Sequence, residues 1–140
     1  DTAGQKAVLR GLDAARAALE ACQKSRKQHE GAVQDLETKR SKYKGQLMDV
    51  KTNKEYTAML HEIEGVEREI RTREDQILVE MEKTEGLAAA VKSEEALFKS
   101  VEEKGRAEIK ALEARSTELH VQAKRLAEEH LHPHGLDGAR

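Results

Sequence analysis

Eleven positions spaced seven apart run through the second half of this 140-residue chain: Tyr56, Ile63, Ile70, Ile77, Thr84, Val91, Phe98, Gly105, Leu112, Leu119 and Leu126. Nine of them are apolar. A seven-residue period places one side chain per two helical turns on the same face, so the series reads as the seam of a coiled coil. A companion line accompanies it. Early it reads Met59, Val66 and Arg73; later, after an expected register shift near Ile77–Met81, it reads Met81, Ala88, Glu95, Glu102, Ile109, Ser116 and Ala123.

The first half carries a matching but leakier stripe. Val8, Ala15, Cys22, His29, Leu36, Tyr43 and Val50 alternate in 4-3 spacing with Leu12, Leu19, Arg26, Val33, Arg40 and Leu47. Composition agrees with two long helices. Charged residues and apolar residues each make up 37%, aromatics 2%, and there is one Pro and no Trp. So few wide side chains cannot fill a thick core. The scarcity of β-branched and aromatic residues argues against a β-sandwich or a doubly wound α/β fold.

A break separates the halves at Val50-Lys51-Thr52-Asn53-Lys54-Glu55-Tyr56. Thr52 followed three residues later by Glu55 is a capping box, so a helix should begin just after Thr52. Two helices joined by so short a link lie antiparallel. The expected fold is all-α, a long antiparallel two-helix coiled-coil hairpin open to dimerisation. Residues 1–49 form the first helix, 50–53 the turn, 54–130 the second helix and 131–140 a flexible tail. The helices differ in length, about 68 Å against about 117 Å at ~1.5 Å per residue. Residues beyond about 98 therefore lack a partner within the hairpin, yet Ile109, Leu112, Leu119 and Leu126 continue the stripe. It calls for a cover: a second copy, a further N-terminal segment or a binding partner. Gly65, Gly86 and Gly105 are the expected weak points of the second helix.

Charge is split between the halves. Residues 1–50 hold ten Lys/Arg against seven Asp/Glu, and residues 51–140 hold fifteen against twenty. That bias favours pairing the two helices over pairing either with itself. It also leaves a basic stripe on the first helix, Lys24, Arg26, Lys27, Lys39, Arg40, Lys42 and Lys44. Of these, Lys39, Arg40, Lys42 and Lys44 are the candidate contacts for RNA. Almost no aromatics are present to stack bases, so such binding would rest on phosphates and weaken with salt.

Chemistry-bearing motifs are scarce. No Gly-rich phosphate loop precedes a Lys-Ser/Thr pair. His61-Glu62 lacks the second His of a metalloprotease helix, because Gly65 occupies that place. Cys22 and His29, one heptad apart, supply two zinc ligands where a site needs four. His130, His132 and His134 flank Pro133, where a helix should stop. Catalytic residues, cofactors and metals are therefore expected to be none in this chain. No apolar run reaches the ~20 residues of a membrane span, and no signal-peptide pattern appears. The single cysteine suits a cytoplasmic protein. The chain begins at Asp1, as a fragment or processed product would.

The segment from Val50 to Ile63, with Glu67-x-x-Ile70 and Glu74-Asp75-x-Ile77-Leu78 after it, resembles the hairpin signature of the bacterial C4-type zinc-ribbon domain proteins. The likeness spans roughly residues 12 to 126, and Lys51 to Tyr56 are the residues that match a motif. The resemblance implies a helical hairpin and a regulatory or adaptor role associated with flagellar or type III secretion systems, through protein or RNA partners. The family's four ribbon cysteines are absent, so zinc is implied only by a ribbon this chain lacks.

These readings converge on a non-enzymatic adaptor or scaffold. Its candidate partner-binding residues are Lys51, Asn53, Lys54 and Tyr56 at the tip, with Thr52 and Glu55 as the helix cap. An RNA-binding regulator and a passive structural coiled coil are the alternatives.

Overall fold

The computed structural model describes residues 2–131. It contains two helices, α1 (Thr2–Leu47) and α2 (Asn53–Leu131), of 46 and 79 residues. Cross-helix contacts fix their direction. His29 meets Arg73, Cys22 meets Glu80, Arg16 meets Glu95 and Gln5 lies against Gly105. Partner numbers fall as α1 numbers rise, so the hairpin is antiparallel.

The turn is built from local hydrogen bonds. Gly45 lowers helix propensity near the end of α1, and the last turn tightens as Met48 N–H donates to Gly45 O (3.2 Å) and Asp49 N–H to Gln46 O (3.0 Å). Lys44 in that turn complements the negative end of the helix dipole. The chain then crosses residues 48–52 without any left-handed backbone among the described residues. Glu55 N–H donates to the Thr52 hydroxyl at 3.1 Å, and Tyr56 N–H donates to Thr52 O at 3.0 Å. Thr52 is thus the N-cap of α2. The helices start and stop within two residues of the expected bounds. Leu131 closes α2 rather than opening the tail; the rest of the expected tail, with His132 and His134, lies outside the described residues.

The seam of α1 follows the heptad reading throughout. All thirteen stripe positions from Val8 to Val50, including Arg26, His29 and Arg40, are buried or half-buried. In α2 the main line is covered from Ile63 to Gly105. Tyr56, its first member, is exposed, because the seam opens at Met59 and Ile63.

The companion line of α2 corrects the sequence reading. No register shift occurs near Ile77–Met81. Beyond the exposed Arg73 the seam continues in steps of seven through Glu80, Leu87, Glu94 and Val101, all buried or half-buried, while Met81, Ala88, Glu95 and Glu102 are exposed. Apolarity favoured Met81 over Glu80. A shift of one residue, however, would rotate α2 by about 100° against α1, taking Leu87 and Val101 out of the seam.

Coverage also extends further than expected. Pairing reaches Gly105, not residue 98, because the partners drift along α2 towards the open end, from Cys22 with Glu80 to Gln5 with Gly105. A Cβ on Gly105 would overlap the Gln5 side-chain amide, so the absence of a side chain allows this close approach. Two rods cannot surround a side chain. Among the described residues the buried apolar set is only Leu12, Cys22, Ile63, Val66 and Ile70. The accessible surface is 11000 Å², against roughly 7300 Å² expected for a compact protein of this mass.

Candidate functional site

Three surfaces bear the candidate residues. At the apex, Lys51, Asn53, Lys54, Glu55 and Tyr56 are all exposed, and Met48 beside them is 85% exposed. The cap at Thr52 sets the direction in which α2 leaves the turn, and so holds Asn53, Lys54 and Tyr56 on a fixed helical scaffold. An apolar methionine and a half-open tyrosine amid lysines make a surface able to bury area and read acidic groups on a protein partner.

The basic residues of α1 do not share one face. At 100° per residue, Lys39 and Lys42 fall on one flank of the seam and Lys44 on the other, with Arg40 between them. Arg40 is half-buried in the seam. The Lys39 ammonium stands 5.6 Å from the centre of the Tyr43 ring, a cation–π contact. Arg26 is likewise drawn into the seam. Its Nε is buried, 3.3 Å from Glu30 Oε1, close enough for ion pairing but off hydrogen-bond geometry.

The third surface is the continuation of α2. Beyond Gly105 every described residue is exposed, and the stripe residues Ile109, Leu112, Leu119 and Leu126 are 56–65% exposed. The apolar line that marks a seam therefore outruns its intramolecular partner by about 26 residues, or about 39 Å of helix.

Inside the hairpin two polar seam residues of α1, Cys22 and His29, are paired across the interface. The Cys22 thiol lies 3.0 Å from Glu80 Oε2, 3.3 Å from Glu80 O and 3.4 Å from the Thr84 hydroxyl, which itself donates to Glu80 O at 2.8 Å. Arg73 Nη1 donates to His29 Nδ1 at 3.0 Å, which requires the neutral ring with its proton on Nε2. Cys22 and His29 thus face different partners. Among the described residues no group of three His, Cys, Asp or Glu side chains is placed to hold a metal ion. The Cys22–Glu80–Thr84 cluster was not anticipated from sequence. A signal existed for the half nearer the turn: with the turn centred near residue 51, partners sum to about 102, as Cys22 with Glu80 and His29 with Arg73 both do, whereas Arg16 with Glu95 and Gln5 with Gly105, nearer the open end, exceed that sum.

A groove of about 600 Å³ runs beside Gly31 between Lys27, Glu30, Val33 and Gln34 on α1 and Glu74 and Ile77 on α2. It is an open trough without a nucleophile–base pair. No described helix is long and apolar enough to cross a membrane. In comparison with known proteins, the chain matches no family model, no curated protein and no solved structure.

Proposed function

We propose that this chain is a non-enzymatic coiled-coil adaptor that joins protein partners, working in the cytoplasm. The observation that carries the reading is the uncovered stripe of α2. Leu112, Leu119 and Leu126 are 65%, 56% and 62% exposed while remaining in step with the paired seam. Exposed leucines in such a row are the mark of an interface. The apex, with Lys51, Asn53, Lys54 and Tyr56, is the second docking surface in this reading. The resemblance of residues 50–63 to zinc-ribbon hairpins, whose roles are regulatory, supports it further.

RNA binding is the weaker alternative. A half-buried Arg40 and lysines on opposite flanks give a backbone of phosphates no continuous track. The test is capture of partners from the parent cell on the immobilised chain, followed by their purification and direct titration. Leu112→Asp with Leu119→Asp, or Lys51→Glu with Lys54→Glu, should remove a purified partner at unchanged helicity. Undiminished binding to both variants, or a partner that proves to be RNA lost at high salt, would overturn the reading.

A further inference from the structure

We infer that the uncovered part of α2 is covered by the same part of a second copy, the two segments running antiparallel. The proposal rests on the adaptor reading in taking the stripe as an interface, and it names the occupant. Within the overhang the stripe positions are Ile109, Leu112, Ser116, Leu119, Ala123 and Leu126, in alternating steps of three and four. All six are exposed. Antiparallel pairing in one register sets Ile109 against Leu126 of the partner subunit, Leu112 against the partner's Ala123, and Leu119 against the partner's Ser116. Wide side chains then meet narrow ones in the inner layers, as close packing of two helices requires.

Charge admits a second copy as the occupant, and packing sets the direction. The segment 106–131 holds Arg106, Lys110, Arg115, Lys124 and Arg125 against Glu108, Glu113, Glu118, Glu128 and Glu129, so two copies approach without net repulsion. Antiparallel pairing brings Glu113 beside the partner's His120, twice by symmetry, and Arg115 beside the partner's Gln122. Parallel pairing would bring Glu108 beside the partner's Glu113, twice by symmetry, and would set Ser116 and Ala123 against their own copies, leaving narrow layers unfilled. The unfavourable antiparallel contact, Glu108 with the partner's Glu129, also occurs twice by symmetry, at the two ends of the overlap, where solvent screens it.

Geometry agrees. The register is centred between Thr117 and Glu118, within a residue of the middle of the uncovered segment. The two α1 helices therefore do not collide, and the stripe is used along its length. The resulting rod is about 200 Å long at ~1.5 Å per residue, with one tip at each end. Two tips pointing apart let one dimer engage two distant partners, or one partner array with avidity.

Sedimentation velocity and small-angle X-ray scattering on the full chain test this. From about 5 to 200 μM, the mass should rise from 15.7 kDa towards twice that value, the affinity range of a short coiled coil. The maximum dimension should approach about 200 Å. Leu112→Asp with Leu119→Asp should hold the chain monomeric at unchanged helicity. Ser116→Ala should tighten the dimer by about tenfold, adding two methyl-lined layers. A monomer throughout, a dimer no longer than about 120 Å, or a dimer indifferent to these substitutions would overturn the proposal. A monomeric chain that still loses a heterologous partner with the Asp pair would sink the second-copy assignment and leave the adaptor reading standing. A 200 Å dimer with tips that capture nothing would do the reverse.

Discussion

The thiol of Cys22 lies 3.0 Å from the Glu80 carboxylate, although the two residues are 58 apart in the chain. Glu80 occupies a seam position and is only 8% exposed. A carboxylate there is tolerated because the Cys22 thiol can donate to it and the Lys83 ammonium stands 4.0 Å away. The arrangement ties one side chain of α1 to one position on α2, and so pins the register of two rods that could otherwise slide.

Replacing this polar contact with apolar packing should stabilise the hairpin. Glu80→Leu is expected to add about 1–2 kcal/mol, because a buried charged group gives way to apolar seam contact. Cys22→Ala should cost about 1–2 kcal/mol, through lost packing and a lost donor to the carboxylate. Urea unfolding followed by circular dichroism measures both, and a destabilised Glu80→Leu would contradict the reading of that contact.

Two glycines of α2 separate helix propensity from packing. A Cβ on Gly86 meets open space, so Gly86→Ala should stabilise by about 1 kcal/mol. A Cβ on Gly105 would displace the end of Gln5, a flexible side chain, so Gly105→Ala should gain less than Gly86→Ala. Thermal unfolding of the two variants side by side reads the difference, and Gly105→Ala paired with Gln5→Ala should recover it.

The N-cap of α2 is worth measuring alone. Thr52→Ala removes the hydroxyl that accepts from Glu55 N–H and should cost about 1 kcal/mol in chemical denaturation. Thr52→Ser should restore most of that loss. Equal stability of the threonine, serine and alanine forms would remove Thr52 from the account of the turn.

Much of the hairpin is legible in the sequence. Thr52 and Glu55 placed the turn, because capping is a local hydrogen-bond pattern that survives in any context. The positions from Val8 to Val50 placed the α1 seam, polar interruptions included, because a period is read from spacing and does not need every member to be apolar. The companion line of α2 was missed where chemistry and spacing disagree. Met81 and Ala88 look like seam residues, but Glu80, Leu87, Glu94 and Val101 hold the place in phase with Met59 and Val66. Glu80 becomes an acceptable seam residue only once Cys22 and Thr84 are known to face it, and that knowledge is tertiary. The tip residues Lys51, Asn53, Lys54 and Tyr56 were placed at the apex by the turn alone, and they are exposed there. The basic group at Lys39–Lys44 looked continuous in sequence. Helical geometry divides it, since neighbours in a list lie 100° apart on a cylinder.

At the tip, Lys51→Glu with Lys54→Glu should abolish binding of a purified tip-docking partner while helicity stays constant. A titration by calorimetry against the wild-type chain gives the comparison. Unchanged affinity would confine the apex to a structural role.

The central claim is that the chain reverses once and zips along itself. Spin labels on exposed Ala14 and Lys92, in a Cys22→Ser background, test it most directly by pulsed dipolar spectroscopy. Helices packed ~8–10 Å apart predict a label separation within roughly 25 Å. A chain that runs on as one rod would place the labels about 117 Å apart, and the absence of a short distance would contradict the hairpin.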